Sequence, residues 1–341
     1  MRITYKMMTN RYTGNLNTIG TDLDKLNNQV ASGRKFSRTS DDVSSAMKGY
    51  QIRKNMYKVD GYQDNISHAQ GFLTNSESAL GGIEDSLTEA VNKVELGVNG
   101  TQSDNEKKII ATELRTIQES LLADLNTSSS GVHIFGGGNT DSVPFTVDKT
   151  TGKLSYNGVD VDSLTDGSTQ LKELEQDSLY VDIGLGGSFD KTTGKVDRNT
   201  VFEYSITGIS FVGNGTETLA DGTSASNNVY NLIGQLAEAF ETGGDSSDMT
   251  SKIEGLFGHL KETTQKVYQQ TTEIGAKTNY LDFMTERYET QDYNMEERQT
   301  QVEGVDAAAT YIDFQTEKVA YQAALQMGQS VIQQSVFDYM S

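Results

Sequence analysis

The stretch that decides the fold is residues 302–341, VEGVDAAATYIDFQTEKVAYQAALQMGQSVIQQSVFDYMS. At 100° per residue, apolar and small side chains recur at three- and four-residue steps along two faces of one predicted helix. The first face holds Ile312, Thr316, Val319, Ala323 and Met327. The opposite face holds Phe314, Tyr321, Leu325, Gly328, Ile332, Val336 and Tyr339. A helix that is apolar on two sides lies either deep in a large core or between copies of the chain, and we favour the second arrangement.

The composition offers little material for a large core. Hydrophobic residues make up 35% of the 341 positions, well below the usual share for a globular domain. The single proline, Pro144, leaves room for long uninterrupted helices. The absence of cysteine excludes disulfides, thiolate zinc sites and cysteine nucleophiles. No run of eighteen apolar residues occurs, so membrane insertion is not expected, and the N-terminus does not resemble a cleavable signal peptide.

Charge is distributed unevenly along the chain. The net charge of −20 argues against nucleic acid as a partner, because phosphate binding needs clustered lysine and arginine. Residues 1–58 nevertheless carry eleven basic and four acidic groups, a balance of +7, whereas residues 271–341 carry four basic and twelve acidic groups, a balance of −8. Opposite charge therefore predicts that the two ends pair lengthwise, within one chain or between chains.

The N-terminal part reads as three helices. The first carries a heptad-like seam that needs a partner helix and ends at Gly33. Ser40, Asp41 and Asp42 then offer capping oxygens for a second, long helix with one apolar seam from Ile52 to Val98. A turn at residues 99–101 and a return helix at about 105–125 predict an antiparallel hairpin. The first seam comprises Met8, Tyr12, Leu16, Ile19, Leu23, Leu26 and Val30.

Residues 132–227 change to a glycine-, threonine- and aspartate-rich composition with short alternating runs typical of half-exposed strands, at 143–147, 179–183 and 202–206. The sequence DKTTGK occurs at 148–153 and again at 190–195, which predicts two similar hairpin tips. Three consecutive glycines at 136–138 lack the lysine of a phosphate loop, and we interpret them as a flexible exit into this segment.

Helical periodicity returns at 229–240, breaks at 243–245 and continues to Val302, with Gly304 allowing a joint before the terminal helix. The predicted fold class is mainly α with a β-rich insertion: an elongated antiparallel helical bundle or coiled coil built from both termini, plus a small β domain, α+β in all. Three parts follow, namely terminal helices at 1–45 with 302–341, a helical rod at 46–131 with 228–301, and a β-rich outer domain at 132–227.

Residues for catalysis or cofactor binding are missing from the pattern. His68, His133 and His259 lie on different segments without ligand spacing, which favours surface or capping roles over metal binding. The carboxylates follow solvated helix faces and form no predicted cleft. We therefore expect no enzyme activity, no cofactor and no metal site.

Several stretches resemble flagellin-like axial proteins of bacteria. The N-terminal likeness lies in Met1-Arg2-Ile3-Thr4, the Leu16–Val30 heptads, Ser32-Gly33-Arg34-Lys35 and Ser40-Asp41-Asp42. The C-terminal likeness lies in Glu303-Gly304-Val305-Asp306 and Gln322-Ala323-Ala324-Leu325-Gln326. The ending Ser335-Val336-Phe337-Asp338-Tyr339-Met340 is similar to that of the hook-associated protein 3, or hook-filament junction, family. The resemblance covers about residues 1–140 and 228–341.

The resemblance implies that the terminal helices form an inner tube and that the β-rich insertion faces the medium. It further implies export through the flagellar type III apparatus with a dedicated chaperone, without a cleavable signal, to an extracellular place in the flagellum. The implied partners are copies of the chain in a ring or helical tier, hook-associated protein 1 on the hook side and flagellin on the filament side. Flagellin itself is the alternative function.

An assembly interface is the one site that the sequence predicts. Its expected members are apolar or small residues of the two terminal helices, with Val336, Phe337 and Tyr339 anchoring the last helix in neighbouring subunits. They are Leu16, Ile19, Leu23, Leu26, Val30, Ile312, Val319, Ala323, Leu325, Met327, Ile332, Val336, Phe337 and Tyr339.

Overall fold

A computed structural model describes residues 5–99, 103–188, 190–191, 196–242 and 247–337, with the side chains of 5, 247–248 and 329–337 left undescribed. The chain is mainly helical with a small antiparallel β part, which confirms the predicted fold class. The helices are α1 (Tyr5–Ser32), α2 (Val43–Asn99), α3 (Asp104–Leu125), α4 (Thr169–Gln176), α5 (Ile209–Val212), α6 (Val229–Thr242), α7 (Ser247–Glu303) and α8 (Ala307–Phe337).

Two compact units are present, one made of residues 1–60 with 288–341 and the other of residues 61–287. The first unit contains α1, α8, the start of α2 and the end of α7. The second contains the remaining helices and the strands described below. The three-part division drawn from composition stays a prediction.

Helices of the second unit pack through the seams that the sequence indicates. Leu73, Leu80 and Leu87 of α2 are fully buried, as are Leu260 and Leu281 of α7. The two helices run antiparallel, because the Gln70 amide donates to Asp282 at 2.7 Å and the Thr88 and Tyr268 hydroxyls lie 3.3 Å apart.

The predicted hairpin of α2 and α3 is confirmed. Lys93 lies 3.0 Å from the Glu113 carboxylate, and the Ser86 hydroxyl lies 3.5 Å from Asp124, so the two helices run in opposite directions. Of the turn predicted at 99–101, Asn99 is the last residue of α2, and the other two positions lie outside the described residues. Gly97 of α2 also allows a close contact with α6, since an added Cβ would come within 2.6 Å of the Phe240 ring.

The strands are short and lie mostly within the predicted β-rich segment. They form four small antiparallel sheets in the described residues, paired β1 with β2, β3 with β4 and β5, β6 with β7, and β8 with β9. Their bounds are β1 (Ser128–Ser129), β2 (Val132–His133), β3 (Phe145–Val147), β4 (Leu154–Tyr156), β5 (Val159–Asp160), β6 (Tyr180–Val181), β7 (Phe202–Glu203), β8 (Thr216–Thr218) and β9 (Ser224–Ser226).

The first DKTTGK copy forms the predicted hairpin tip between β3 and β4. The Asp148 amide donates to the Lys153 carbonyl at 3.0 Å, the Gly152 amide donates to the Asp148 carbonyl at 2.8 Å, and Gly152 has a φ of +71°. Positive φ is the conformation that glycine adopts without a steric penalty. Most of the second copy, residues 192–195, lies outside the described residues.

The sequence suggested that the glycines at 136–138 form a flexible exit, and this interpretation is wrong. An added Cβ on Gly136 would overlap the Asn139 carbonyl, and one on Gly137 would overlap the Asp177 carbonyl. The Gly138 amide donates to that same Asp177 carbonyl at 2.7 Å. Here glycine permits close backbone packing in an ordered turn, a role that composition alone does not separate from flexibility.

The second unit offers a direct test of its buried seam. Leu87→Ala removes a fully buried side chain from α2 and should lower the free energy of unfolding by about 3 kcal/mol, because a cavity remains. Leu96→Ala is the matched control on the same helix: Leu96 is 57% exposed, and its change should stay within about 0.5 kcal/mol. Urea unfolding followed by circular dichroism measures both, and equal losses would contradict the assignment of the seam.

Candidate assembly surface

The first unit is built on antiparallel packing of α1 against α8. The Tyr12 hydroxyl donates to the Ala324 carbonyl at 2.9 Å, across 312 positions of sequence. Gly328 lies so close to the Tyr12 ring that a side chain there would overlap it, and Gly20 lies against the Tyr321 ring, 3.6 Å from where a Cβ would stand. The predicted lengthwise pairing of the chain ends is therefore present within a single chain.

Residues of the α1 seam line this helix pair. Leu16, Ile19, Leu23 and Leu26 are half-buried, whereas Val30, near the end of α1, remains 39% exposed. A two-helix contact covers only part of each side chain, which explains their intermediate exposure. These positions thus meet a partner in the same chain and retain surface for a further one.

The two apolar faces of α8 have different environments. Phe314 and Tyr321 on the second face are half-buried and Gly328 is buried, because this face lies toward α1. On the first face, Ile312 and Val319 are each 63% exposed. α1 therefore covers one face of α8 and leaves the opposite one open to solvent.

The remaining predicted positions divide in the same way. Ala323 and Met327 on the first face are exposed, Met327 by 62%, and Leu325 at the edge of the second face is 44% exposed. Ile332, Val336 and Phe337 fall within the α8 range, but their side chains lie outside the described ones. Tyr339 lies outside the described residues altogether. Membership of an assembly interface stays a prediction for all fourteen positions.

A backbone joint fastens the C-terminal end of α1 to the start of α8. Gly33, with a φ of +69°, ends α1 as the sequence predicts, and its carbonyl accepts from the Val305 amide at 3.1 Å. The Lys35 amide donates to the Glu303 carbonyl at 2.7 Å, beside a bridge between Arg34 and Gly304. Two segments far apart in sequence thus share a short ladder of hydrogen bonds.

Carboxylates order the helix starts near this joint. Asp42 Oδ1 accepts from the Ser45 amide at 3.0 Å at the start of α2, and Asp306 Oδ1 accepts from the Ala308 amide at 3.0 Å at the start of α8. Hydrogen bonds from the Ser45 side chain and amide lower the pKa of Asp42 below its ordinary value. A lowered folded-state pKa favours folding above the ordinary value, and this contribution is lost as the pH falls through the lowered one.

An ion pair at the joint was missed by the sequence analysis. The Glu303 carboxylate is 5% exposed and contacts the Arg53 guanidinium of α2, whose side chain is 35% exposed. Gly49 leaves the space that the carboxylate occupies, because an added Cβ would overlap a Glu303 oxygen. Glu303 belongs to a stretch on which the resemblance rests, but no local signal identifies a partner 250 positions away.

The histidines are placed in three environments. His259 is buried and lies 2.9 Å from an Asn227 side-chain oxygen, so its predicted surface or capping role is wrong. His133 lies 3.1 Å from the Asn126 carbonyl, and His68 is exposed beside Tyr204. In the described ranges, no three histidine, aspartate or glutamate side chains are grouped to hold a metal ion. None of the helices described there is both long and apolar enough to span a membrane.

The ion pair at the joint can be tested because removing its cation should cost more stability than removing its buried anion. Arg53→Met should lower the stability of the joint by about 3 kcal/mol, because it leaves the buried Glu303 carboxylate without its cation. Glu303→Gln should lower it by about 1 kcal/mol, since the arginine can still reach water. Hydrogen exchange at the Lys35 and Val305 amides reports this stability locally. Lys54→Met, an exposed cation on the same helix, is the control, and an equally small effect of Arg53→Met would refute the role of the pair.

Comparisons with known proteins agree with this architecture. The family described as the bacterial flagellin N-terminal helical region matches residues 3–140. The chain is 22% identical over 330 residues to flagellar hook-associated protein 3 of Escherichia coli K12, covering 95% of each chain. It is 28% identical over 159 residues to the protein of the same name from Salmonella typhimurium LT2, covering 46% of this chain and 49% of that one.

The fold also occurs in a solved structure, flagellar hook associated protein-3 of Legionella pneumophila. The match has a TM-score of 0.57 at 12% identity, and it covers 74% of this chain and 98% of the other. The relatives are structural proteins rather than enzymes. Over residues 3–140 the chain thus resembles the flagellin N-terminal helical region, over nearly its whole length it resembles flagellar hook-associated protein 3, and these likenesses indicate a structural protein of the bacterial flagellum.

Proposed function

We propose that this protein is the adaptor that joins the flagellar hook to the flagellin filament. Copies of the chain assemble as a ring or short helical tier, and their terminal helices continue the lattices on either side. The curated relatives are named as hook-associated proteins, which supports a place at the hook. The match to the flagellin N-terminal region supports terminal helices that are compatible with the filament.

The observation that carries this proposal is the open face of α8. Ile312 and Val319 are each 63% exposed on the side opposite α1. Burying such a side chain stabilises an association by about 2 kcal/mol. Each copy presents the same face, so the stabilisation repeats at every contact of a closed or helical assembly. A stripe of exposed aliphatic side chains is consequently better explained as an interface than as a solvated surface.

The partners follow from the same resemblance. Hook-associated protein 1 occupies the hook side and flagellin the filament side, each through tube-forming helices that match α1 and α8. The chain reaches this extracellular position through the flagellar type III export apparatus, delivered by a dedicated export chaperone.

The open face can be tested by comparing a substitution within it with a substitution outside it. Val319→Lys places a charge where an assembled neighbour would bury it, and should raise the concentration needed for assembly at least about tenfold. Gln322→Lys is the matched control, since Gln322 is exposed and lies about 80° from the centre of the open face. Sedimentation velocity of the full chain under salting-out conditions measures both variants. Equal behaviour of the two would contradict the role of this face.

Electron microscopy of the same samples separates the adaptor from flagellin. Salting-out conditions strengthen apolar association, so an assembly-competent chain will polymerise as far as its geometry allows. Rings or short tiers support the adaptor function. Long uniform filaments would contradict it and identify flagellin as the better function.

The end of the chain supplies a second prediction. A variant that stops after Ser335 lacks Val336, Phe337 and Tyr339, and should lose attachment to the flagellum while its helix content stays nearly unchanged. Swimming motility and circular dichroism measure the two properties. Normal motility of a strain carrying this truncation would contradict an anchoring role for these residues.

A further inference from the structure

A second exposed apolar surface lies on the first part of α2, within the first unit. Val43, Met47, Tyr50 and Tyr57 follow steps of four, three and seven residues, so they share one helix face, and they are 57%, 59%, 65% and 75% exposed. This face, which we call the α2 stripe, lies away from the buried side of the helix. Large exposed aromatic and apolar side chains grouped in this way mark an interaction surface.

The α2 stripe is flanked by basic residues and borders a groove. Lys54 falls on the same face, and Lys58 lies one turn further along its edge. Met47, Tyr50 and Lys54 border an open groove of about 530 Å³, whose lining also includes Arg34 and Arg38. A groove with an apolar wall and cationic rims fits a protruding aromatic side chain flanked by carboxylates.

Such an aromatic group is present on the end of α7, in the same unit. Tyr293 is 69% exposed, and the exposed Glu289, Glu296 and Glu297 surround it at steps of three and four residues. We call this surface the α7 face. It lies opposite the buried side of α7, where Tyr288 and Met295 are 4% and 8% exposed. Its negative charge is opposite in sign to that of the lysines at the α2 stripe.

We propose that the α2 stripe of one copy docks on the α7 face of a second copy of this chain. Charge complementarity favours this pairing, because two α2 stripes would bring Lys54 and Lys58 together and two α7 faces would bring the glutamates together. The contact joins different surfaces, so a docked pair still offers one free α2 stripe and one free α7 face, and association continues around a ring or along a helix. The inference rests on the proposed self-assembly and names its lateral contact.

Cysteine cross-linking provides the test, because the chain contains no cysteine of its own. Full-length Tyr50→Cys and Tyr293→Cys chains are mixed at low ionic strength, where exposed charges are least screened, and then oxidised. The mixture should yield a covalent dimer at least about fivefold more abundant than either variant alone. Leu96→Cys, 57% exposed on the other unit, replaces Tyr50→Cys in the control mixture and should give only background.

Charge reversal then tests the complementarity. Lys54→Glu with Lys58→Glu in the Tyr50→Cys chain should lower the dimer yield about fivefold, in keeping with two exposed charge pairs. Glu289→Lys with Glu296→Lys in the Tyr293→Cys chain should restore it. All four positions lie on solvated helix faces, and circular dichroism verifies that each variant keeps its helix content.

The outcomes separate this inference from the proposed function. If sedimentation shows assembly that Val319→Lys abolishes, but the mixture cross-links no better than the Leu96→Cys control, the docking proposal is overturned and the adaptor function stands. If the chain does not assemble under any of these conditions, both proposals are overturned. Cross-linking that is lost and regained with the charge reversals supports the docking.

Discussion

The packing of α1 on one face of α8 is the contact on which the first unit depends. α1 is rich in asparagine and threonine, which have modest helix propensity, so it needs a partner helix to remain folded. α8 supplies that partner with its Tyr321 face and leaves the Ile312 face exposed to solvent. One helix thereby combines a face that holds the first unit together with a face that is open, so we expect substitutions on the two faces to affect different properties of the protein.

The joint beside Gly33 fixes how these helices enter the pair. Backbone bonds from Lys35 and Val305 hold the two crossing segments, and Asp306 caps the start of α8. The buried Glu303 carboxylate adds a requirement for both a cation and space, which Arg53 and Gly49 satisfy. A buried charge that loses its partner is strongly destabilising, so this corner tolerates few alternative arrangements.

The helices could be predicted from sequence because their signal is local and repeated. The seam through Leu73, Leu80 and Leu87 keeps its period over many turns. Gly33 marks a helix end because glycine adopts positive φ easily, and Asp42 marks a helix start because its carboxylate accepts a hydrogen bond from a first-turn amide. The two apolar faces of α8 were visible for the same reason. Which face α1 would cover was not visible, since both have suitable spacing.

Other features depend on contacts that no short window contains. The strands are two or three residues long, and β3 is held partly by Asn126, whose amide group exchanges two 2.9 Å hydrogen bonds with the Phe145 backbone. The Arg53 and Glu303 pair spans 250 positions, and the glycines at 136–138 take their meaning from Asp177. Composition identified the β-rich segment, but tertiary contacts determine its turns.

The hydrogen bond between Tyr12 and Ala324 has a consequence for the order of folding. It closes a loop of 312 positions, and closing a disordered loop of that length is slow and entropically costly. The second unit consists of the chain between these ends, so its folding replaces most of that disordered loop with ordered structure. We therefore expect the terminal helices to pair last, although α1 precedes the other described helices in the chain. Until α1 and α8 pair, each helix lacks its partner, and any molecule that binds one of them competes with this final step of folding.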